Sequence, residues 1–102
     1  MKPCRLRPLA QEDRRAEVLY YRQEAGAAVA GRLVKSLARA QQGLERNPAI
    51  GSPTLGKLLR IEGLRAWGIE GFPLTYWYFE RADHIEVVRL VGQRQDPTGI
   101  QT

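Results

Sequence analysis

The hydrophobic periodicity of the chain changes once, near its middle, and this change constrains the fold most. Before Asn47 the apolar residues recur at helical spacing, whereas after residue 63 they are concentrated in three short runs rich in aromatic and β-branched residues. The stretch between them, PAIGSPTLG at residues 48–56, is rich in Pro and Gly and is predicted to be a loop. Helices followed by hairpin-linked strands are typical of an α+β domain.

Two helices are predicted in the first half. The first covers residues 10–25, has acidic residues in its first turn, and places Ala16, Leu19 and Tyr20 on one face. Gly26 separates it from a second helix, which ends at Asn47. The apolar face of the second helix consists of Ala30, Leu33, Val34, Leu37 and Leu44. A one-residue break between two amphipathic helices indicates an antiparallel helical hairpin.

Four strands are predicted around this hairpin. CRLRPL forms a first strand that Pro8 ends, and LRAWGI, LTYWYF and IEVVRLV form a three-stranded antiparallel meander. The predicted fold is therefore α+β, with an N-terminal strand, a helical hairpin and a meander in a single domain over residues 1–102. The hairpin is expected to cover one sheet face, leaving the other face to solvent or a partner.

Composition limits the possible functions. The formal charge of +5 favours an acidic protein or nucleic acid as the partner, and arginine suits both. No apolar run approaches the roughly 20 residues of a membrane span, and no export signal is visible, so a cytoplasmic location is expected. With one cysteine, one histidine and no phosphate-binding glycine loop, no metal and no cofactor are expected.

A ribonuclease that uses the 2′-hydroxyl as nucleophile needs two proton carriers and cations for the phosphate. Arg65, Arg89 and Arg94 can supply the cations, and Glu86 can serve as a base. His84 is more simply explained as a solvated turn residue. No convincing proton carrier accompanies the arginines.

Several segments resemble the ParE branch of the RelE/ParE superfamily of bacterial toxins from type II toxin–antitoxin systems. They are YYRQEAG, NPAIGSP, GLRAWGIEGFPLTYWY and IEVVRLVGQRQD, and the last two are the most specific. The resemblance implies a cognate antitoxin whose C-terminal segment wraps the toxin. ParE-like toxins are associated with poisoning DNA gyrase, whereas RelE-like relatives cut messenger RNA on the ribosome.

The chain departs from both branches near its end. RelE-like nucleases usually have a Tyr or His near the C-terminus, but none follows His84 here, which counts against RNA cleavage. In the ParE pattern a His stands at the position of Gly92 and an Arg at that of Gln95, and Arg94 can supply the basic group instead.

The leading hypothesis is a non-enzymatic toxin that inhibits DNA gyrase and is neutralised by a small acidic, ParD-like antitoxin in a hetero-oligomer. The alternatives are a RelE-like mRNA endonuclease and a degenerate, non-toxic module that binds an antitoxin. The predicted target-binding residues are Arg65, Trp67, Arg89 and Arg94. The predicted antitoxin-binding residues are Leu19, Tyr20, Leu33, Leu37, Tyr76 and Tyr78, and an uncovered sheet edge is a further docking surface.

Charge reversal at Arg89 and Arg94 is expected to weaken partner binding without unfolding the domain. If Arg89 pairs with a carboxylate within the fold, however, the reversal should destabilise the protein.

Overall fold

The structure is a computed structural model that describes residues 1–93 and 95–102. Its helices are α1 (Pro8–Ala25), α2 (Ala27–Arg46) and the short α3 (Thr54–Leu59). Its strands are β1 (Cys4–Leu6), β2 (Arg65–Gly68), β3 (Leu74–Glu80) and β4 (Ile85–Gly92). None of the helices among these residues combines the length and apolar character needed to cross a membrane.

The strands form a single four-stranded sheet in the order β1-β4-β3-β2. β2, β3 and β4 are antiparallel neighbours, as the meander prediction requires. β1 adds at the outer side of β4 in parallel, with Cys4 opposite Ile85 and Leu6 opposite Val87. The predicted α+β fold of strand, helical hairpin and meander is confirmed.

The apolar face of α2 packs on the sheet as predicted. Its buried residues include Leu33, Leu37 and Leu44, each with no exposed surface. Val34 is the exception, because it lies at the margin of this face and is 40% exposed.

The prediction of which face of α1 packs on the core is wrong. Ala16, Leu19 and Tyr20 are exposed, and the helix contacts the core through Ala10 and other apolar residues on a different face. The physical reason is that the inward side of α1 is partly polar, since Asp13 pairs with Arg89 there. The helix also begins at Pro8, so the acidic residues expected in its first turn lie beyond that turn.

The second sheet face is also covered, contrary to the expectation that it meets solvent or a partner. A second core cluster there contains Leu64, Trp77, Val88 and Val91. Leu59 of α3 and Ile100 of the C-terminal segment pack against it. The predicted loop at residues 48–56 thus contains the start of α3, whose six residues are too few for a helical periodicity to be visible.

An irregularity in the pairing of β3 and β4 redirects the last strand. Trp77 is opposite Arg89, whereas Tyr78 is opposite Val87, so Val88 is an extra residue in β4. Val88 packs into the second cluster, and the Arg89 side chain reaches α1. This bulge therefore sets the direction of the basic residue that the sequence singled out.

Candidate functional site

Arg89 forms an ion pair with Asp13 of α1. Its Nε and Nη2 atoms donate to the two carboxylate oxygens at 2.8 and 3.0 Å, and both side chains are only 17% exposed. The hydrogen bond to Asp13 raises the pKa of Arg89. The backbone N–H of Leu90 donates to the same carboxylate at 3.0 Å. Arg89 therefore has a structural role, and the expectation that its reversal leaves folding intact is replaced by the expectation of destabilisation.

Glu86 is held between two other arginines. Arg81 donates to its carboxylate at 2.7 Å and Arg7 at 3.0 Å. Partial burial opposes the charged form, but the hydrogen bonds from Arg81 and Arg7 outweigh it and lower the pKa of Glu86. A carboxylate stabilised in this way is a weak proton acceptor, so Glu86 is poorly suited to act as a general base.

Arg65 binds the segment that follows α2. Its Nη1 atom donates to the carbonyl oxygen of Gly51 at 2.6 Å. β3 lies between β2 and β4, which places the Arg65 backbone about two strand spacings, or roughly 10 Å, from that of Glu86 or Arg89. The residues of the ribonuclease hypothesis do not converge on one site, and Arg94 lies outside the described residues.

Trp67 lies on the same sheet side as Arg65. It is half-buried against the first core cluster, and its Nε1 atom is close to Gly43 of α2, where a Cβ atom would lie 3.9 Å away. Its predicted role in target binding stays a prediction, and the structure gives it a packing role.

Most of the predicted antitoxin-binding residues are inaccessible. Leu33, Leu37, Tyr76 and Tyr78 have no exposed surface, so in this conformation they stabilise the core and cannot contact a partner. Burial raises the pKa of Tyr76 to about 12. These four residues are apolar or aromatic members of strong periodic patterns, which mark a core as readily as a docking surface.

Leu19 and Tyr20 of α1 are accessible, and they stay candidates for antitoxin binding. Their exposed fractions are 53% and 39%. Beside Leu19 is a shallow depression of about 390 Å³ lined by Arg14, Arg15, Val18, Leu19 and Arg22. We call Leu19, Tyr20 and the flanking Arg15 and Arg22 the α1 surface. The arginines were missed as site residues, although their spacing around Leu19, at i−4 and i+3, could have revealed them.

The remaining titratable candidates are explained locally. Within residues 1–93 and 95–102, no group of three or more His, Cys, Asp or Glu residues could hold a metal ion. His84 lies next to Asp83 in a turn, and their hydrogen bond lowers the pKa of Asp83. Burial, with a smaller contribution from Glu45, raises the pKa of Cys4 to about 11.

The fold is shared with a solved structure described as "Chromosomal ParDE TA system from P. aeruginosa". The TM-score is 0.75 at 19% sequence identity, and the match covers 90% of this chain and 96% of the other. This likeness places the chain in the same structural class of small α+β proteins as that solved structure. No curated protein matches the chain.

The sequence itself matches, over residues 4–97, the family described as "ParE toxin of type II toxin-antitoxin system, parDE". The chain belongs to this ParE toxin family, which confirms the resemblance seen in the sequence. It is therefore the toxin component of a type II toxin–antitoxin system, and such a system implies an antitoxin as a binding partner.

Proposed function

We propose that this ParE-family toxin inhibits DNA gyrase in the cytoplasm and is neutralised by a small acidic, ParD-like antitoxin in a hetero-oligomer. Family membership supports the gyrase target. The engagement of Arg65 and Arg89 in contacts within the fold favours a toxin that acts by binding rather than by cleaving RNA. The proposed toxin needs no cofactor.

The α1 surface is the observation that carries the antitoxin part of this proposal. Leu19 and Tyr20 provide exposed apolar area, and Arg15 and Arg22 provide positive charge in the depression beside Leu19, whereas Tyr20 lines a separate depression that includes Glu17 and Glu24. An antitoxin segment with apolar side chains for the first pair and carboxylates for the second would complement this surface. The net charge of +5 would accelerate association with such an acidic segment.

A matched pair of double variants tests the docking surface. Leu19→Asp with Tyr20→Asp is expected to weaken binding of the purified cognate antitoxin at least about tenfold, because apolar interface anchors contribute most of the affinity. Leu58→Asp with Ile50→Asp is the control, since these residues are 70% and 38% exposed and lie outside α1. Isothermal titration calorimetry measures both. Equal weakening by the two variants would show that the α1 surface is not the docking site.

Induced expression of the protein in a bacterial host tests which target the toxin acts on. The proposal predicts growth arrest without new messenger RNA ends in primer extension. New ends appearing with the arrest would support the mRNA endonuclease instead, and unchanged growth would support the degenerate module.

A further inference from the structure

The charged residues on the solvent-facing flank of α2 are all positive. Its cations are Arg32, Lys35, Arg39 and Arg46, all exposed. Their spacing of three, four and seven residues keeps them along one side of the helix. We call these four residues the α2 basic flank. It extends over 14 residues, or about 21 Å of helix axis.

The charges of the α2 basic flank are not neutralised within the fold. None of its four side chains has an ion-pair or hydrogen-bond partner among the residues that the structure describes. The only acidic residue of α2, Glu45, faces β1 and accepts a hydrogen bond from the Cys4 N–H at 2.8 Å. Like charges along one side of a helix destabilise it slightly, so a bound polyanion would stabilise this arrangement.

The chemistry of this flank differs from that of the α1 surface. The exposed positions beside its cations hold small residues such as Ala28, Gly31 and Ala38, and the large apolar residues that line a groove with these cations, Tyr21, Val29 and Phe72, are half-buried. Val34 is the one large hydrophobic of α2 with substantial exposure. It lies on another side of the helix, because it is neither three nor four residues away from any of the four cations. A protein interface needs apolar anchors, whereas a phosphate backbone needs only cations and close approach. The flank therefore fits a phosphate backbone better than a protein.

We propose that the α2 basic flank binds the phosphate backbone of duplex DNA. A single strand would require aromatic side chains on which bases can stack. The nearest aromatic residues, Tyr21 and Phe72, are half-buried and pack edge to face with a centroid distance of 5.2 Å. The length of the flank, about 21 Å, matches about six base pairs at roughly 3.4 Å each. This DNA contact goes beyond the proposed inhibition of gyrase and does not depend on it.

One carboxylate opposes the cations. Arg32, Lys35 and Arg39 line a shallow groove of about 420 Å³, and Glu70 in the β2–β3 turn lines the same groove. Its negative charge would repel phosphate, so Glu70→Gln is expected to tighten DNA binding about two- to fivefold at low salt.

Fluorescence anisotropy with a labelled 20-base-pair duplex and the purified full chain tests the proposal. Between 50 and 200 mM NaCl the slope of log K against log salt is expected to be about −3.6, from four neutralised phosphates. Arg32→Gln with Arg39→Gln should reduce the slope to about −1.8. Arg5→Gln with Lys57→Gln removes two exposed cations elsewhere and should leave it unchanged. Thermal melts verify that the variants are folded. Arg46→Gln alone is the second variant, and it is expected to reduce the magnitude of the slope by about 0.9.

Three results would overturn the proposal. The first is no binding to the duplex at 50 mM salt. The second is an equal loss of slope in the two double variants, which would indicate a response to net charge alone. The third is tighter binding to a single-stranded RNA of the same length or to an acidic peptide than to the duplex.

Discussion

Asp13 of α1 is bound to two consecutive residues of the last strand, Arg89 and Leu90. It accepts hydrogen bonds from Arg89 Nε, from Arg89 Nη2 and from the Leu90 N–H. The Leu90 amide lies beyond the end of β1, where β4 has no strand neighbour on that side. One carboxylate therefore neutralises a partly buried arginine and satisfies an edge amide of the sheet.

Removal of this carboxylate is expected to destabilise the fold. Asp13→Ala leaves Arg89 in a largely buried position without its carboxylate partner, with only the hydrogen bond from Nη1 to the Gln101 carbonyl oxygen remaining, and we expect the free energy of unfolding to fall by about 2–3 kcal/mol. Urea denaturation measures the change. Asp83→Ala is the control, because Asp83 is exposed in a turn and its loss should change stability by less than about 0.5 kcal/mol. Equal effects of the two substitutions would contradict the structural role of Asp13.

The lowered pKa of Glu86 predicts that the stability of the fold depends on pH. Its pKa in the folded chain lies below the ordinary value of 4.5, so its ionised form stabilises the fold above that value. The stabilisation is lost as the pH falls through the folded pKa. The difference in melting temperature between the wild type and Glu86→Gln should therefore shrink from pH 6 to pH 3. A difference that stays constant over this range would contradict the assignment.

At the scale of elements, α2 and the three C-terminal strands were predictable because each buries apolar residues in a regular period. α1 was predicted as a helix but with the wrong face, because Asp13 and Arg14 use its inward side for polar contacts with Arg89 and Gln41. Periodicity detects apolar burial and is insensitive to buried ion pairs. α3 was missed because a six-residue helix shows fewer than two turns.

The outer edges of the sheet are partly capped by other parts of the chain. At β1 the Cys4 N–H donates to Glu45 at 2.8 Å. At β2 the backbone of Ala66 exchanges two hydrogen bonds with Ser52, at 2.9 and 3.0 Å. A partner that adds a strand at these positions must displace these contacts first. Leu19 of the α1 surface is 53% exposed and accessible without displacement of these edge contacts, which favours the α1 surface over the sheet edge suggested by the sequence.

Tyr78 joins the sheet to the segment after α2. Its hydroxyl donates to the carbonyl oxygen of Pro48 at 2.6 Å and accepts from the Gly51 N–H at 2.9 Å. Tyr78→Phe should lower the free energy of unfolding by about 1–3 kcal/mol, because both backbone groups lose their partner. Tyr76→Phe removes one longer bond, to Gln41 at 3.3 Å, and should cost less. Chemical denaturation compares the two, and a larger loss for Tyr76→Phe would contradict this account.

At the scale of the whole molecule, the sequence indicated the family, the fold and the positive charge, but not how the charge is distributed. Arg89 and Glu86 looked available in the sequence, yet both are paired within the fold. The cations of the α2 basic flank, in contrast, have no ion-pair partner among the described residues. Whether a charged residue is paired within the fold depends on contacts between residues far apart in sequence, such as Asp13 with Arg89, which no local pattern encodes.

The two proposed surfaces would give the molecule two separate ways to bind. The α1 surface combines exposed apolar area with arginine and suits an acidic protein, whereas the apolar residues beside the α2 basic flank are half-buried. Variants at Leu19 and Tyr20 should therefore affect neutralisation by the antitoxin without affecting the toxic activity itself.

A DNA gyrase supercoiling assay tests the central claim most directly. Purified wild-type toxin and the Leu19→Asp, Tyr20→Asp variant are each added in stoichiometric amounts to gyrase, with and without an equal amount of the cognate antitoxin. Both toxins are predicted to inhibit supercoiling, and the antitoxin is predicted to restore activity only with the wild type. Full supercoiling in the presence of wild-type toxin alone would contradict the gyrase target.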